Sequence, residues 1–347
     1  MKFLSLPCVL WLAIIVTSCH SNTENATTEK VSTGIKKDSV VRRIAILDSE
    51  ALHIIDSSSA IEVIASGYKW TEGPVYIKDS GYLLFSDIPN NKIFKWKEGG
   101  GASLYLTPSG HTFPEKKEVE PGSNGLLLDA KGNLVLCQHG DRRVARMEAP
   151  LNNPKPEFIT LTDRYKGKRL NSPNDAVFHP NGDLYFTDPP YGLDKRMADT
   201  AKELDFQGVY RLKPNGRLDL LTKELKFPNG IALSPDAKVL YVSNSDSTNM
   251  TWNQYVLDDK GLIKSESLFY HAKEYDRTDL GNPDGMKVNK QGYLFAAGPQ
   301  GIWIFSPSGK VLARIYTGAK TANCAFSPDE KTLFITASTQ VLKVKLK

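Results

Sequence analysis

Short apolar runs alternate with turn residues along most of the chain, and the runs line up. GYLLFSD (81–87), GNLVLCQ (132–138), GDLYFTD (182–188), KVLYVSN (238–244), GYLFAAG (292–298) and KTLFITA (331–337) align without a gap. Each is followed by a second alternating segment: KIFKWKE, RVARMEA, GVYRLKP, NQYVLDD, GIWIFSP and VLKVKLK. Strict alternation over a short run is the pattern of a half-buried strand. A Leu shared by all six runs falls at 83, 134, 184, 240, 294 and 333, spacings of 51, 50, 56, 54 and 39 residues. Six copies of a strand-and-turn unit at such a period predict an all-β fold, a six-bladed β-propeller. No long segment carries apolar residues at helical spacing, which argues against a (β/α) barrel of similar length.

The last copy ends one strand short of four. IEVIASG (61–67) precedes the first copy and alternates in the same way. It is expected to supply that outer strand, closing the ring and leaving no exposed edge at the seam.

Pro-Asn-Gly occurs three times, in HPNGDLYF (179–186), LKPNGRLD (212–219) and KFPNGIAL (226–233). Pro fixes φ while Asn and Gly accept left-handed backbone, so each copy could be a plain turn. By phase, the first two are hairpins. Asn229 of the third sits 11 residues before Leu240, where a blade's innermost strand begins. The same phase yields Glu72, Asn124, Asn174, Asp284 and Asn323, so every blade opens its inner strand with an acid or an amide. Inner strands line a propeller's channel and their starts gather at one mouth, which predicts a ring of oxygen donors with two carboxylates. That set suits a hard divalent cation, Ca²⁺ with Mg²⁺ or Mn²⁺ as alternatives, and excludes a structural zinc site. The competing reading is that the amides merely cap strands; two facing buried carboxylates speak against it, since they need a cation or a proton.

Second strands return to this mouth, so their end loops overhang it. These loops hold Asp87, His139, Asp188, Tyr191, Asn244, Asp246 and Gln300. Two connections on that face are long, 108–123 and 189–206, as binding loops and lids tend to be. His139 is a candidate for substrate contact.

The first 18 residues read as a lipoprotein signal peptide. One Lys precedes an apolar run from Val9 to Val16 that is too short to span a bilayer, and Val16-Thr17-Ser18-Cys19 resembles a lipobox. Residues 19–43 read as a flexible tether and 44–347 as the propeller. A lipid on Cys19 would anchor an exported protein in the cell envelope, on the periplasmic or outer-membrane face. Cys137 and Cys324 each lie inside an apolar run and read as buried thiols. The chain of 347 residues is 40% hydrophobic and 24% charged with net charge +5, and no basic run points to nucleic acid. A monomer is expected.

TEGPVY (71–76), SNGLLLDAKGNLVLCQHGDRRVAR (123–146), GKRLNSPNDAVFHPNGDLYFTDPPYGL (167–193) and FPNGIALSPDAKVLYVSNS (227–245) resemble the bacterial gluconolactonases of the senescence-marker-protein/regucalcin/gluconolactonase family. The resemblance continues through NPDGMKV and ANCAFSPDEKTLFIT, over roughly residues 44–347. It implies a six-bladed propeller that binds a divalent metal in its channel and hydrolyses sugar lactones such as glucono-δ-lactone. It also implies Glu72, Asn229 and Asp284 as metal ligands, Asp284 as the acid/base, and Asn174 as a substrate contact. By their places at the same mouth, Asn124 and His139 are further candidates for substrate contact. Animal members carry Arg two residues before that Asn, where this chain has Ser172. No Gly-x-Ser-x-Gly elbow supports a covalent serine route. Two alternatives stay open: a non-catalytic tethered platform for sugars or proteins, and a hydrolase of other lactones or esters.

Overall fold

The computed structural model describes residues 41–114 and 119–347. The signal segment, Cys19 and the tether up to residue 40 lie outside the described residues. Antiparallel four-stranded sheets follow one another along the chain as blades. The first is Thr71–Ile77, Tyr82–Asp87, Lys92–Lys97 and Gly101–Leu106, paired in that order. Ser123–Leu128, Leu134–Gln138, Arg143–Met147 and Phe158–Thr162 form the second blade. Ala176–Phe178, Leu184–Asp188, Gly208–Leu212 and Leu218–Thr222 form the third. Pro228–Leu233, Val239–Asn244, Thr251–Leu257 and Ile263–His271 form the fourth. The fifth holds Met286–Val288, Leu294–Gly298, Gly301–Phe305 and Val311–Tyr316. The sixth runs Thr321–Phe326, Thr332–Ala337, Gln340–Lys345, then Ile61–Ser66.

The last pairing is the expected closure: Ile61 stands opposite Val344 and Ser66 opposite Gln340. One strand was not expected. Arg43–Ile46 adds to the outer edge of the fifth blade, with Arg43 opposite Tyr316. Arg43, the last residue assigned to the tether, therefore belongs to this strand. The Arg43 guanidinium lies 3.9 Å over the Tyr316 ring, and Ile44 joins the apolar cluster behind it.

The six shared leucines are all buried, between 0% and 2% exposed, each in the middle layer of its blade. Facing blades interlock: Val135 and Cys137 of the second pack on Ala176, Leu184 and Phe186 of the third. Burying one such side chain contributes about 1.5–3 kcal/mol, so six near-identical layers stabilise the ring without any ligand. Cys137 and Cys324 are buried free thiols, as expected.

At the axis the inner strands approach very closely. A Cβ on Gly73 would fall 2.0 Å from the Asn124 carbonyl oxygen, and one on Gly230 would fall 2.2 Å from that of Asp284. Glycine after the ring residue is thus required by the neighbouring blade. Hydroxyls join the blades at the same level: Ser86 Oγ donates to the Asn124 carbonyl (3.0 Å), Thr187 Oγ1 to Asn229 (2.6 Å) and Ser243 Oγ to Asp284 (3.0 Å).

Candidate active site

Register slips where inner strands begin, between Glu72 and Val75, Ser123 and Leu126, Pro228 and Ile231, and Thr321 and Asn323. Such bulges leave a residue out of the ladder and re-aim its side chain. The result is an axial cavity of about 270 Å³ whose wall includes Glu72, Asn124, Asn174, Asn229 and Asp284. Five of the six positions found by phase meet there.

Asn323 does not. Its Nδ2 donates to Asp175 Oδ2 (3.4 Å), and its Oδ1 accepts from the Cys324 amide (2.8 Å) and lies 3.4 Å from Lys287 Nζ. Thr321 and Lys320 line the cavity in its place. The side chain fits only because Gly285 is beside it, where a Cβ would come 2.0 Å from Asn323 Cγ.

The cavity is electrostatically loaded. Burial first, then the charges of Asp175 and Glu120, push Glu72 up to about 8, against hydrogen bonds from the Gly73 amide at 3.1 Å and the Trp70 side chain. Asp284 is pushed well above the usual carboxylate range by burial, then by Glu72 and Asp175. Two carboxylates held this way stay protonated unless a cation offsets their charge, as the sequence pattern required.

Among the amides, Asn229 Nδ2 donates to Ser245 Oγ (3.0 Å), whose hydroxyl in turn donates to the Pro283 carbonyl. That commits the Asn229 nitrogen to the wall. Asn124 Oδ1 and Asn174 Oδ1 are buried and have no protein partner. An acceptor left so costs about 1–3 kcal/mol unless something else supplies a donor or a cation. Among the described residues, no group of three or more His, Cys, Asp or Glu side chains could hold a metal. Besides Glu72 and Asp284, the wall offers a cation the amide oxygens of Asn124, Asn174 and Asn229.

His139 is fully buried and does not line the cavity; it lies behind Asn174. Other overhanging residues are braces. Asp87 accepts from the amides of Lys69 and Trp70, Asp188 from those of Asn171 and Ser172, and Asn244 from that of Phe227. In each case the second strand ties down the backbone entering the inner strand of its own blade. Asp246 pairs instead with Lys226 at 3.2 Å, and Gln300 takes no part in the wall. Tyr191 does line the cavity, stacked on Phe227 at 5.9 Å.

Ser172 has a structural task. Its Oγ donates to the Pro189 carbonyl (2.5 Å) and accepts from the Gly192 amide (2.9 Å), fastening the start of the long 189–206 connection. A guanidinium has no room at this completely buried position. Glu120 was not singled out by sequence, yet it lines the cavity from the end of the other long connection. Asp175 was missed as well, although it raises both ring carboxylates.

Known proteins share this frame. A gluconolactonase of Zymomonas mobilis is 45% identical over 300 residues, spanning 85% of this chain and 83% of that one. A rabbit (Oryctolagus cuniculus) regucalcin is 25% identical, spanning 77% of this chain and 82% of its own. The structure of a gluconolactonase from Xanthomonas campestris superposes with a TM-score of 0.74 at 28% identity, covering 89% of this chain and 96% of that one. The model of the SMP-30/gluconolactonase/LRE-like region matches residues 70–339, from the innermost strand of the first blade to the sixth, and the chain belongs to that family.

Proposed function

We propose that the chain hydrolyses sugar lactones, glucono-δ-lactone among them, to the corresponding aldonic acids in the axial cavity, with a divalent cation bound there. The observation that carries this reading is the pairing of a buried carboxylate, Glu72, and a half-buried one, Asp284, with two unpartnered amide oxygens in one small cavity. The gluconolactonase of Zymomonas supports the substrate class. All-oxygen donors and a raised carboxylate pair fit a hard cation, Ca²⁺ with Mg²⁺ or Mn²⁺ as alternatives. Glu72, Asn229 and Asp284 would hold it. When bound, such an ion polarises carbonyl oxygens and favours anionic ones.

The remaining work falls to side chains. Asn124 Oδ1 and Asn174 Oδ1 accept hydrogen bonds from sugar hydroxyls, which fixes the lactone in the cavity and satisfies both amides. The Asp284 carboxylate takes a proton from the attacking water as its oxygen bonds to the lactone carbonyl carbon. When the ring C–O bond breaks, Asp284 returns that proton to the departing oxygen, leaving a carboxylic acid and a hydroxyl. General-base assistance of this kind contributes about 10²–10⁴ in rate. Upstream, Val16-Thr17-Ser18-Cys19 supports an exported protein held in the cell envelope by a lipid on Cys19, with residues 44–347 as the catalytic domain.

Proton release from glucono-δ-lactone, followed by pH-stat above the spontaneous rate, tests the reading. Other lactones and simple esters serve as comparisons. Saturable binding of the lactone without any added proton release would instead mark the cavity as a binding platform.

A further inference from the structure

Behind the cavity wall, His139 joins two side chains that the chemistry above leaves unconnected. Its Nδ1 is 3.0 Å from Glu120 Oε2 and its Nε2 is 3.5 Å from Asn174 Nδ2. The first contact is off the N–H axis, a charge contact more than a linear hydrogen bond. Even so, a nitrogen lone pair facing a carboxylate at that distance is repelled, whereas an N–H is attracted. The proton of a neutral imidazole therefore belongs on Nδ1, and Nε2 is left as an acceptor.

That assignment reaches the cavity. An acceptor at Nε2 requires the Asn174 amide to offer its NH₂ group, which turns Oδ1 away from the ring. Asn174 Oδ1 is the atom left without a protein partner, and Asn174 is part of the cavity wall. Both long connections hold the imidazole still. Glu120 ends one, and at Gly192 of the other a Cβ would fall 2.6 Å from His139 Cβ.

We propose that Glu120 and His139 are positioning residues: together they fix the imidazole tautomer and, through it, present the oxygen of Asn174 to the substrate. The role in turnover rests on the lactonase reading; the tautomer does not. Partners one layer behind a site typically change affinity or activity by about 10–100-fold when removed.

Two measurements on the full-length protein test this. Long-range ¹H–¹⁵N spectra of ¹⁵N-histidine-labelled protein at alkaline pH should show a ring protonated at Nδ1 that disappears in His139→Gln. An Nε2-protonated or doubly protonated His139 overturns the proposal, whether or not the protein hydrolyses lactones. The second is a double-mutant cycle on kcat/KM. His139→Phe should lose about 10–100-fold in the native background. In Asn174→Asp, where an oxygen faces the cavity in either orientation, most of that loss should vanish. His139→Gln, which keeps an acceptor for the Asn174 NH₂, should recover much of the activity that His139→Phe loses. Equal losses from His139→Phe in both backgrounds would overturn the positioning role. Absence of turnover in the unaltered protein sinks the lactonase reading and leaves the spectroscopic test to decide this one.

Discussion

Freed of any cation, the protein should lose stability as pH rises between about 4.5 and about 8, because Glu72 keeps its proton when folded and gives it up when unfolded. The folded state then binds more protons than the unfolded one, so unfolding free energy falls with pH. The contribution is complete below the ordinary value of 4.5 and is lost through the folded value of about 8. At roughly 1.4 kcal/mol per pH unit, Glu72 alone accounts for at most about 5 kcal/mol. Asp284 acts in the same direction, and so does Asp188, pushed up to about 7 by burial. That is a large share of the ~5–15 kcal/mol typical of a folded domain. Glu72→Gln, neutral throughout, isolates one group. Urea unfolding of the cation-free protein across this window should give a falling stability for wild type and a clearly shallower fall for Glu72→Gln. Added cation should flatten the wild-type slope, since it binds only the folded, ionised site. A flat or rising wild-type curve, or identical slopes for the two proteins, would refute the buried-carboxylate account.

Other substitutions separate the roles in the ring. Asp284→Asn should lose about 10²–10⁴ in rate that saturating cation does not restore, whereas Asn229→Asp, which removes no proton carrier, should retain far more activity. Recovery of Asp284→Asn at high cation would reduce Asp284 to a ligand. Gly230→Ala puts a methyl 2.2 Å from the Asp284 carbonyl oxygen and should destabilise by about 1–3 kcal/mol in denaturant while also lowering activity. Unchanged stability would mean that the inner strands are not tightly packed at the axis. Cys19→Ala should abolish lipid labelling of the mature chain and its partition into membranes; persistent labelling would remove the lipobox reading.

Phase in the repeat revealed much of this site. Asn229 was separable from the two hairpin copies of Pro-Asn-Gly because it leads an inner strand, and Ile61–Ser66 was recognisable as the closing strand. Phase counts residues but not bulges, so it misplaced Asn323, where the register shift after Thr321 turns the side chain toward Asp175. It was silent on Glu120, which lies in a long connection outside the repeat. Direction is also invisible to spacing. Asp87, Asp188 and Asn244 end their strands at the correct mouth, yet buried or half-buried backbone amides capture them. Those amides have no ladder partner and must be satisfied, a demand that only the folded arrangement exposes.

The central claim is that lactone turnover occurs in the axial cavity and depends on a cation held by Glu72, Asn229 and Asp284. The direct measurement is the rate of glucono-δ-lactone hydrolysis by full-length protein before chelation, after it, and after Ca²⁺, Mg²⁺ or Mn²⁺ is returned, with far-ultraviolet circular dichroism recorded on each sample. The account predicts that chelation abolishes turnover, leaves the β-sheet signal in place, and is reversed by the cation. Full activity after chelation, or loss of the sheet together with the activity, would contradict it.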